Sequence, residues 1–313
     1  MFEQMPVLIA QMEMFASLIL IGFVAQKLKL LSDENINNLS AILSKFIIPA
    51  MLLTIIPNGG SRSDFFAAWK FILCTVVIIS CMFVTGIAAS KTIKFKDEAR
   101  RKMHAGVIAM GNAGFIGLPL VTTIFPVTGA LPSAFYVFIE AVYCWCAGPI
   151  LTDPSEGKKK INFKKLVTPL NISMLAGIVL LLLNVNLKGF VVWDTLTTIG
   201  GTTKYFASLY VGLNLGRLGF KCILDDKRIF LSSPFKLIIF PIVVYYVFGK
   251  TGIMSGDMLM MLVLFASTPT GMSLPLVADV VKGDKAYATA GTLLNTILCL
   301  VTIPLVMQLI SYL

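Results

Sequence analysis

The sequence predicts an all-α polytopic membrane protein with ten transmembrane helices, arranged as two inverted five-helix repeats with broken, crossing helices 4 and 9. Hydrophobic residues make up 57% of the 313 residues and charged residues only 13%, and the mean hydropathy is +0.86. Loops rich and poor in lysine and arginine alternate, and two segments rich in glycine and proline lie half a chain length apart. Such an apolar composition is typical of a membrane domain.

Ten apolar runs, each bounded by charged residues or by glycine and proline, are long enough to cross a bilayer, which takes about 20 residues. No hydrophilic stretch is long enough for a separate soluble domain. We therefore expect a single membrane domain, with the first repeat at 1–152, a basic cytoplasmic loop at 153–165 and the second repeat at 166–313. The predicted spans are 5–27, 36–56, 65–90, 103–124, 130–151, 166–184, 194–216, 233–249, 257–280 and 286–311.

The basic residues predict the orientation, because cytoplasmic loops of membrane proteins carry an excess of lysine and arginine. Nineteen of the 26 fall in the loops that follow the odd-numbered spans, and only Arg62, Lys188 and Lys250 fall in the loops on the other side. This pattern favours ten spans in the cell membrane with both termini outside the cytoplasm. The net charge of +10 then reflects topology, so we expect the lipid bilayer as a partner and no nucleic acid.

An internal repeat is indicated by "GLPLV" at 117–121 and "SLPLV" at 273–277, which are 156 residues apart, half the chain. The same offset places span 4 on span 9. Because each copy has five spans, an odd number, the second copy enters the membrane from the opposite face. Inverted repeats of this kind are typical of many secondary transporters.

Two segments should interrupt spans 4 and 9, namely "GNAGFIGLPL" at 111–120 and "STPTGMSLPL" at 267–276. Pro119 and Pro275 each remove a backbone donor. In lipid such a break is tolerated only where it is buried in protein or lines a cavity, so a polar ligand is expected there. The alternative is that these glycine-rich segments bind no ligand and only pack closely against neighbouring helices. The glycines that would allow close approach of the two chains are Gly111, Gly114, Gly117 and Gly271.

The ligand at these breaks is expected to be an anion. Residues 105–124 and 258–278 contain no Asp, Glu, Lys or Arg, which argues against a sodium–proton antiporter, since that needs a carboxylate at the crossing. The second half of each broken helix begins near its proline, where the dipole and free amides favour a carboxylate. The polar side chains available are Asn112, Thr268, Thr270 and Ser273.

Two lysines, Lys45 and Lys204, lie near the middle of spans 2 and 7, where a charge costs about 2.5–3.5 kcal/mol on insertion scales. They are expected either to complement the charge of a substrate or to pair with Glu13 or Glu140. The alternative is that they snorkel to the membrane surface. Lys45 is the stronger candidate because it lies one turn before Pro49.

Enzymatic, metal-binding and cofactor-binding patterns are absent from the sequence. There is no HExxH or GxSxG motif, and the one-residue spacing of "CWC" at 144–146 does not suit a metal knuckle. We therefore expect no enzyme activity, no metal and no cofactor.

The sequence resembles the auxin efflux carrier family, whose bacterial members include malonate and malate permeases. The resemblance covers essentially the whole chain and is most specific at the two predicted breaks. The motifs that carry it are "GNAGFIGLPLV" at 111–121, "STPTGMSLPLVAD" at 267–279, "FIIPAMLL" at 46–53, "LYVGLNLG" at 209–216, "TPLNISMLAGIVLLLL" at 168–183 and "TLLNTILCLVTIPL" at 292–305.

This resemblance implies a scaffold part, a mobile part and elevator-type alternating access for small organic anions, such as the dicarboxylates malate and malonate. Pro49 and Gly212 would mark scaffold helices facing the site, and Asn295 stands where relatives are expected to have serine. By the same analogy the site is lined by Asn112, Pro119, Pro269, Thr270 and Pro275.

Other functions stay open at this point. They are a sodium-coupled symporter of the related bile-acid type, a membrane sensor that binds a ligand without carrying it, and a channel. The coupling ion and the oligomeric state are also open, a homodimer being one option.

Overall fold

The computed structural model describes residues 5–95, 97–155, 166–219 and 221–312, and is helical throughout these ranges apart from loops and one isolated β-bridge. Most of the predicted loop at 153–165 lies outside the described residues. The helices in chain order are α1 (Met5–Lys27), α2 (Asp33–Gly59), α3 (Arg62–Ala67), α4 (Trp69–Thr92), α5 (Glu98–Ala109), α6 (Ala113–Ile124), α7 (Ala130–Thr152), α8 (Pro169–Leu182), α9 (Val191–Gly201), α10 (Thr203–Leu218), α11 (Lys221–Leu224), α12 (Lys227–Lys250), α13 (Gly256–Ala266), α14 (Ser273–Val280) and α15 (Lys285–Ser311).

Six of these helices are long and apolar enough to cross a membrane, and each coincides with a predicted span: α1, α2, α4, α7, α12 and α15. The other four predicted spans fall on the shorter helix α8 and on the pairs α5–α6, α9–α10 and α13–α14. The chain is therefore a multi-pass helical membrane protein. Ten crossings in two inverted repeats stay a prediction, as do the repeat boundaries.

The chain folds into two compact units. The first, which we call unit A, comprises residues 1–72, 114–138 and 167–219. The second, unit B, comprises residues 73–113, 139–166 and 220–313.

Unit A is held together by a close crossing of α1 and α10. A Cβ atom at Gly212 would overlap the carbonyl oxygen of Ile19, and one at Gly22 would lie 2.9 Å from the amide nitrogen of Leu213. Small residues let membrane helices approach this closely, so that van der Waals contact between the backbones replaces side-chain packing. Gly212, which the family resemblance assigned to a scaffold helix, is thus a packing residue of unit A.

The helices α8 and α9 pack on α2 in the same way, also within unit A. A Cβ atom at Gly177 of α8 would lie 3.1 Å from the carbonyl oxygens of Leu52 and Leu53. One at Gly200 of α9 would lie 2.5 Å from the Cα atom of Met51. The part of α2 that carries the buried Pro49 is therefore fixed from two sides by glycine contacts.

In unit B one guanidinium joins three helix ends. Asp97, Asp226 and Asp284 cap the N-termini of α5, α12 and α15, where a negative charge is favoured by the helix dipole. Arg100 donates hydrogen bonds to Asp284 at 2.9 Å and to Asp226 at 3.2 Å. Burial alone would raise the pKa of Asp226, but hydrogen bonds from Arg228 and Arg100 hold that pKa below its usual value.

The glycine crossing of unit A predicts a strong effect of one added methyl group. Gly212→Ala should lower the free energy of unfolding by about 1–3 kcal/mol, because the methyl group overlaps the Ile19 carbonyl and the helices must separate. Gly201→Ala is the matched control, since nothing lies within 4 Å of a Cβ atom there; it should stay within about 0.5–1 kcal/mol of the wild type. Thermal unfolding in detergent measures both, and equal melting temperatures for the two variants would contradict the close crossing.

The Arg100 cluster of unit B predicts a pH-dependent contribution to stability. Arg100→Met should lower the free energy of unfolding by about 1–2 kcal/mol near pH 7, because two partly exposed charged hydrogen bonds are lost. Since the folded-state pKa of Asp226 lies below the unfolded value of about 3.9, this contribution is present above that pH and is lost as the pH falls through the folded-state pKa. Thermal unfolding at neutral and acidic pH measures the difference.

In this experiment Arg62→Met, a change at an exposed side chain of α3, serves as the control. Arg100→Met and the control should differ at neutral pH and converge in acid. A constant difference across the pH range would show that the carboxylate charge of Asp226 has no part in it.

Candidate functional site

Two interruptions of helical structure meet in unit B. Helix α5 ends at Ala109, and Met110 is extended, with φ −91° and ψ 121°. Gly111 forms an isolated antiparallel bridge with Thr270, which lies between α13 and α14. The amide of Gly271 donates to the carbonyl oxygen of Met110 at 3.2 Å. Backbone groups freed by the two breaks therefore bond to each other, as groups buried away from water must. We call this place the crossing.

Glycine is required at the crossing because the backbones touch. A Cβ atom at Gly271 would overlap the carbonyl oxygen of Gly111. A Cβ atom at Gly111 would overlap the carboxylate of Glu140 and lie 3.2 Å from the hydroxyl oxygen of Thr268. Gly111 and Gly271 are thus positions where the two chain segments approach too closely for a larger residue.

A chain of buried hydrogen bonds holds Thr270 in place. Its hydroxyl donates to the carbonyl oxygen of Val107 at 2.6 Å and accepts from the Nδ2 atom of Asn295 at 2.8 Å. The Oδ1 atom of Asn295 in turn accepts from Ser233 at 2.7 Å. Thr270 and Asn295 are both fully buried. Because both ends of its amide are engaged, Asn295 orients Thr270 and has limited capacity to bind a ligand directly.

Asn112 differs from Asn295 in having an unpaired donor. Its side chain is 3% exposed, and its Nδ2 atom has no hydrogen-bond partner among the described residues. A buried donor without a partner costs about 1–3 kcal/mol. Asn112 is therefore the side chain of the crossing best placed to gain from a ligand that accepts a hydrogen bond.

Glu140, from α7, brings a carboxylate to the crossing. Its Oε2 atom accepts a hydrogen bond at 2.8 Å from the amide of Ala113, the first residue of α6. Residues 105–124 and 258–278 contain no carboxylate of their own, but α7 supplies one from a third segment of the chain. The absence of carboxylates from those two segments therefore does not exclude a cation site.

Lys236 is a buried charged residue that was not among the predicted site residues. It lies in α12, is 0% exposed, and its Nζ atom has no hydrogen-bond partner in the described part of the chain. It interacts electrostatically with Glu140. The only sequence signal was a lysine inside an apolar run, near the start of span 8.

The other predicted residues of unit B lie around the crossing. Pro269 is buried, while Ser273 and Pro275 are half-buried in the first turn of α14. The hydroxyl of Ser273 lies 3.8 Å from the sulfur of Cys144, one turn after Glu140 on α7. Unit B therefore brings together these predicted residues: Asn112, Glu140, Pro269, Thr270, Gly271, Ser273, Pro275 and Asn295.

The remaining predicted residues belong to unit A. Lys45 is exposed, and Lys204 is half-buried with its ammonium 5.2 Å from the centre of the Tyr205 ring. Neither forms an ion pair within the described part of unit A. Exposure on an apolar helix is what snorkelling predicts for Lys45. The rest of this group are Pro49, Gly114, Gly117 and Pro119, of which the two prolines are buried.

The carboxylate of Glu140 does not belong to a metal-binding cluster among the described residues. No cluster of three or more histidine, cysteine, aspartate or glutamate side chains that could hold a metal ion occurs among the described residues. None of the described cysteines takes part in a disulfide.

Comparison with known proteins assigns the chain to a family. The model of a family described as membrane transport protein (Mem_trans) matches residues 7–307. A relative in Methanothermobacter thermautotrophicus, described as an uncharacterized transporter, is 26% identical over 307 residues, which cover 92% of this chain and 93% of the relative. The resemblance to auxin efflux carriers is thereby confirmed: the chain belongs to the Mem_trans family of membrane transport proteins, to which these carriers belong, and it is a multi-pass membrane transporter.

Proposed function

We propose that the protein is a secondary transporter of small organic anions, namely mono- or dicarboxylates such as malate or malonate, and that it works by elevator-type alternating access. The observation that carries the proposal is the pair of unpaired buried donors near Glu140, the Asn112 amide and the Lys236 ammonium. A carboxylate accepts hydrogen bonds only, so it would satisfy both donors and leave no new group unpaired.

The proposed architecture has ten spans, with α5–α6 and α13–α14 as the broken helices 4 and 9. Residues 1–152 and 166–313 form the inverted repeats, the loop at 153–165 is cytoplasmic, and both termini lie outside the cytoplasm in the cell membrane. The equivalent positions of the two breaks in the repeat support this arrangement. Interrupted helices that meet near the midplane are a recurrent way of building a transporter site.

In the proposed site the substrate carboxylate accepts a hydrogen bond from Asn112. Pro269 and Pro275 keep the surrounding backbone from closing into regular helix, and Asn295 holds Thr270. Direct contact of the substrate with Lys45 or Lys204 stays a prediction, and the exposure of Lys45 favours a role at the membrane surface.

A sodium-coupled symporter is the second candidate, and the observation that favours it is the carboxylate of Glu140 at the crossing. Against it, a single carboxylate beside an ammonium is a poor site for a hard cation, which prefers several oxygen ligands. Uptake measured with sodium replaced by potassium separates the two candidates, because only the symporter would lose activity.

The proposal predicts that Asn112→Ala abolishes carboxylate binding and transport. In a thermal-shift screen of the purified protein, malate, malonate or a monocarboxylate should raise the melting temperature of the wild type, because a ligand that binds the folded state stabilises it by mass action. The shift should be absent in Asn112→Ala, and uptake into proteoliposomes should fall at least about tenfold, as expected when a charge-assisted hydrogen bond of about 1.5–3 kcal/mol is lost.

The control for this test is Asn38→Ala, a change at an exposed asparagine of α2 that should leave binding and uptake unchanged. Ligand-induced shifts that survive in Asn112→Ala would place the substrate elsewhere. Binding without flux in the wild type would instead favour a sensor, and flux without saturation a channel.

A further inference from the structure

Glu140 lies where the proposed substrate is expected to bind. Its carboxylate accepts the hydrogen bond of the Ala113 amide, at the N-terminal end of the second half of broken helix 4, and it also contacts Gly111. It is 8% exposed. An anionic substrate that uses the same amide must therefore replace the carboxylate of the protein. This inference rests on the proposed function and goes beyond it, because it concerns how the site balances charge.

Lys236 provides the second and independent observation. Its ammonium is fully buried and makes no hydrogen bond to a described residue, nor does a carboxylate oxygen of the described chain lie within 4.0 Å of it. A buried charge without hydrogen bonds is costly. The electrostatic partner that the structure gives it is Glu140, at longer range. Lys236 is thus a buried cation whose unpaired donors a substrate carboxylate would satisfy.

The charges of the empty site cancel, which limits what it can accept. Of the described Asp, Glu, Lys and Arg residues, only Glu140 and Lys236 are buried. A substrate carboxylate added to this pair leaves one uncompensated negative charge in a medium of low dielectric constant, which is strongly unfavourable. One bound proton restores neutrality.

We propose that Glu140 and Lys236 form a carboxylate-exchange site, in which the substrate carboxylate takes the place of the Glu140 carboxylate beside Lys236 and Glu140 binds one proton. The proton comes from water on the side to which the site is open. It returns to water on the other side when the substrate leaves and Glu140 again accepts the Ala113 amide. Each cycle moves one carboxylate and one proton, with no net charge.

This balance also narrows the substrate class. One buried cation compensates one carboxylate, so the transported species is a monoanion. It is either a monocarboxylate or the singly protonated form of a dicarboxylate.

Other titratable groups near Glu140 are few, which makes it the natural proton acceptor. Its own helix carries the buried thiol of Cys144 and the phenol of Tyr143, which bonds to Ser80 at 2.6 Å. On α14, Asp279 is paired with Lys285 at the surface, and on α5 the Nδ1 atom of the buried His104 is hydrogen-bonded to the phenol of Tyr287 at 2.8 Å. The crossing segments 110–112 and 268–271 carry no titratable side chain.

The test begins with binding as a function of pH. Affinities of the wild type for lactate, malonate and malate are measured in detergent, with lactate as the key probe because it stays ionised from about pH 5.5 to 8.5. Where Glu140 is ionised, uptake of one proton per lactate makes the affinity fall about tenfold per pH unit. In Glu140→Gln/Lys236→Arg, whose guanidinium keeps its charge without a buried carboxylate, the affinity should vary by less than about twofold over the same range, because no proton is linked to binding.

Transport in proteoliposomes provides the second readout. A gradient that is alkaline inside should drive accumulation of lactate by the wild type. Glu140→Gln/Lys236→Arg should retain exchange of internal for external lactate but lose accumulation, because the guanidinium keeps its positive charge when the substrate leaves. Lys236→Met should lose both binding and exchange. Glu13→Gln, a change at an exposed glutamate of α1, is the matched control and should behave as the wild type.

Failure of this inference and failure of the proposed function give different results. If the wild type neither binds nor carries any of the three acids, the proposed function fails and the inference with it. If the wild type carries them and Glu140→Gln/Lys236→Arg keeps both the pH dependence and the accumulation, or Lys236→Met still binds, only the exchange site is wrong. The double variant Glu140→Gln/Lys236→Met has no buried charge in the site, so it should fold but should not bind the acids. A folded double variant that binds them normally would also overturn the inference.

Discussion

The contact of two backbones at Gly111 and Gly271 is the constraint on which unit B depends. The chains approach so closely there that neither position has room for a Cβ atom, and each break leaves amides and carbonyls without helical partners. Those groups are satisfied locally, by the bond from Gly271 to Met110 and by the Thr270 and Glu140 side chains. The buried polar side chains Thr270 and Glu140 are therefore needed because the two helices are interrupted where their backbones cross.

Much of this arrangement can be predicted from the sequence. The six long helices follow from the length of apolar runs, and the crossing follows from the glycines and prolines of two segments 156 residues apart. Asn112 and Thr270 were predicted because they are polar residues within those segments. These features could be predicted because glycine and proline indicate from the local sequence alone where a helix is interrupted.

The charged pair could not be predicted in the same way. Lys45 and Lys204 lie nearer the middle of their spans than Lys236, yet Lys45 is exposed and Lys236 is fully buried. Depth in a span does not tell which face of a helix a side chain occupies, and burial of Lys236 depends on neighbours that come from distant parts of the chain. For the same reason Glu140 was recognised as a charge within span 5 but not as the carboxylate that bonds to Ala113. Family membership shows that the protein is a transporter, whereas the charge of its substrate has to be argued from this pair.

The most direct test of the account is an experimental structure of the purified protein with malonate or lactate bound. The account predicts density for a carboxylate within about 3 Å, hydrogen-bond distance, of the Asn112 Nδ2 atom and the Lys236 Nζ atom, with Glu140 no longer bonded to the Ala113 amide. A bound carboxylate outside the crossing, with Glu140 still bonded to Ala113, would contradict it.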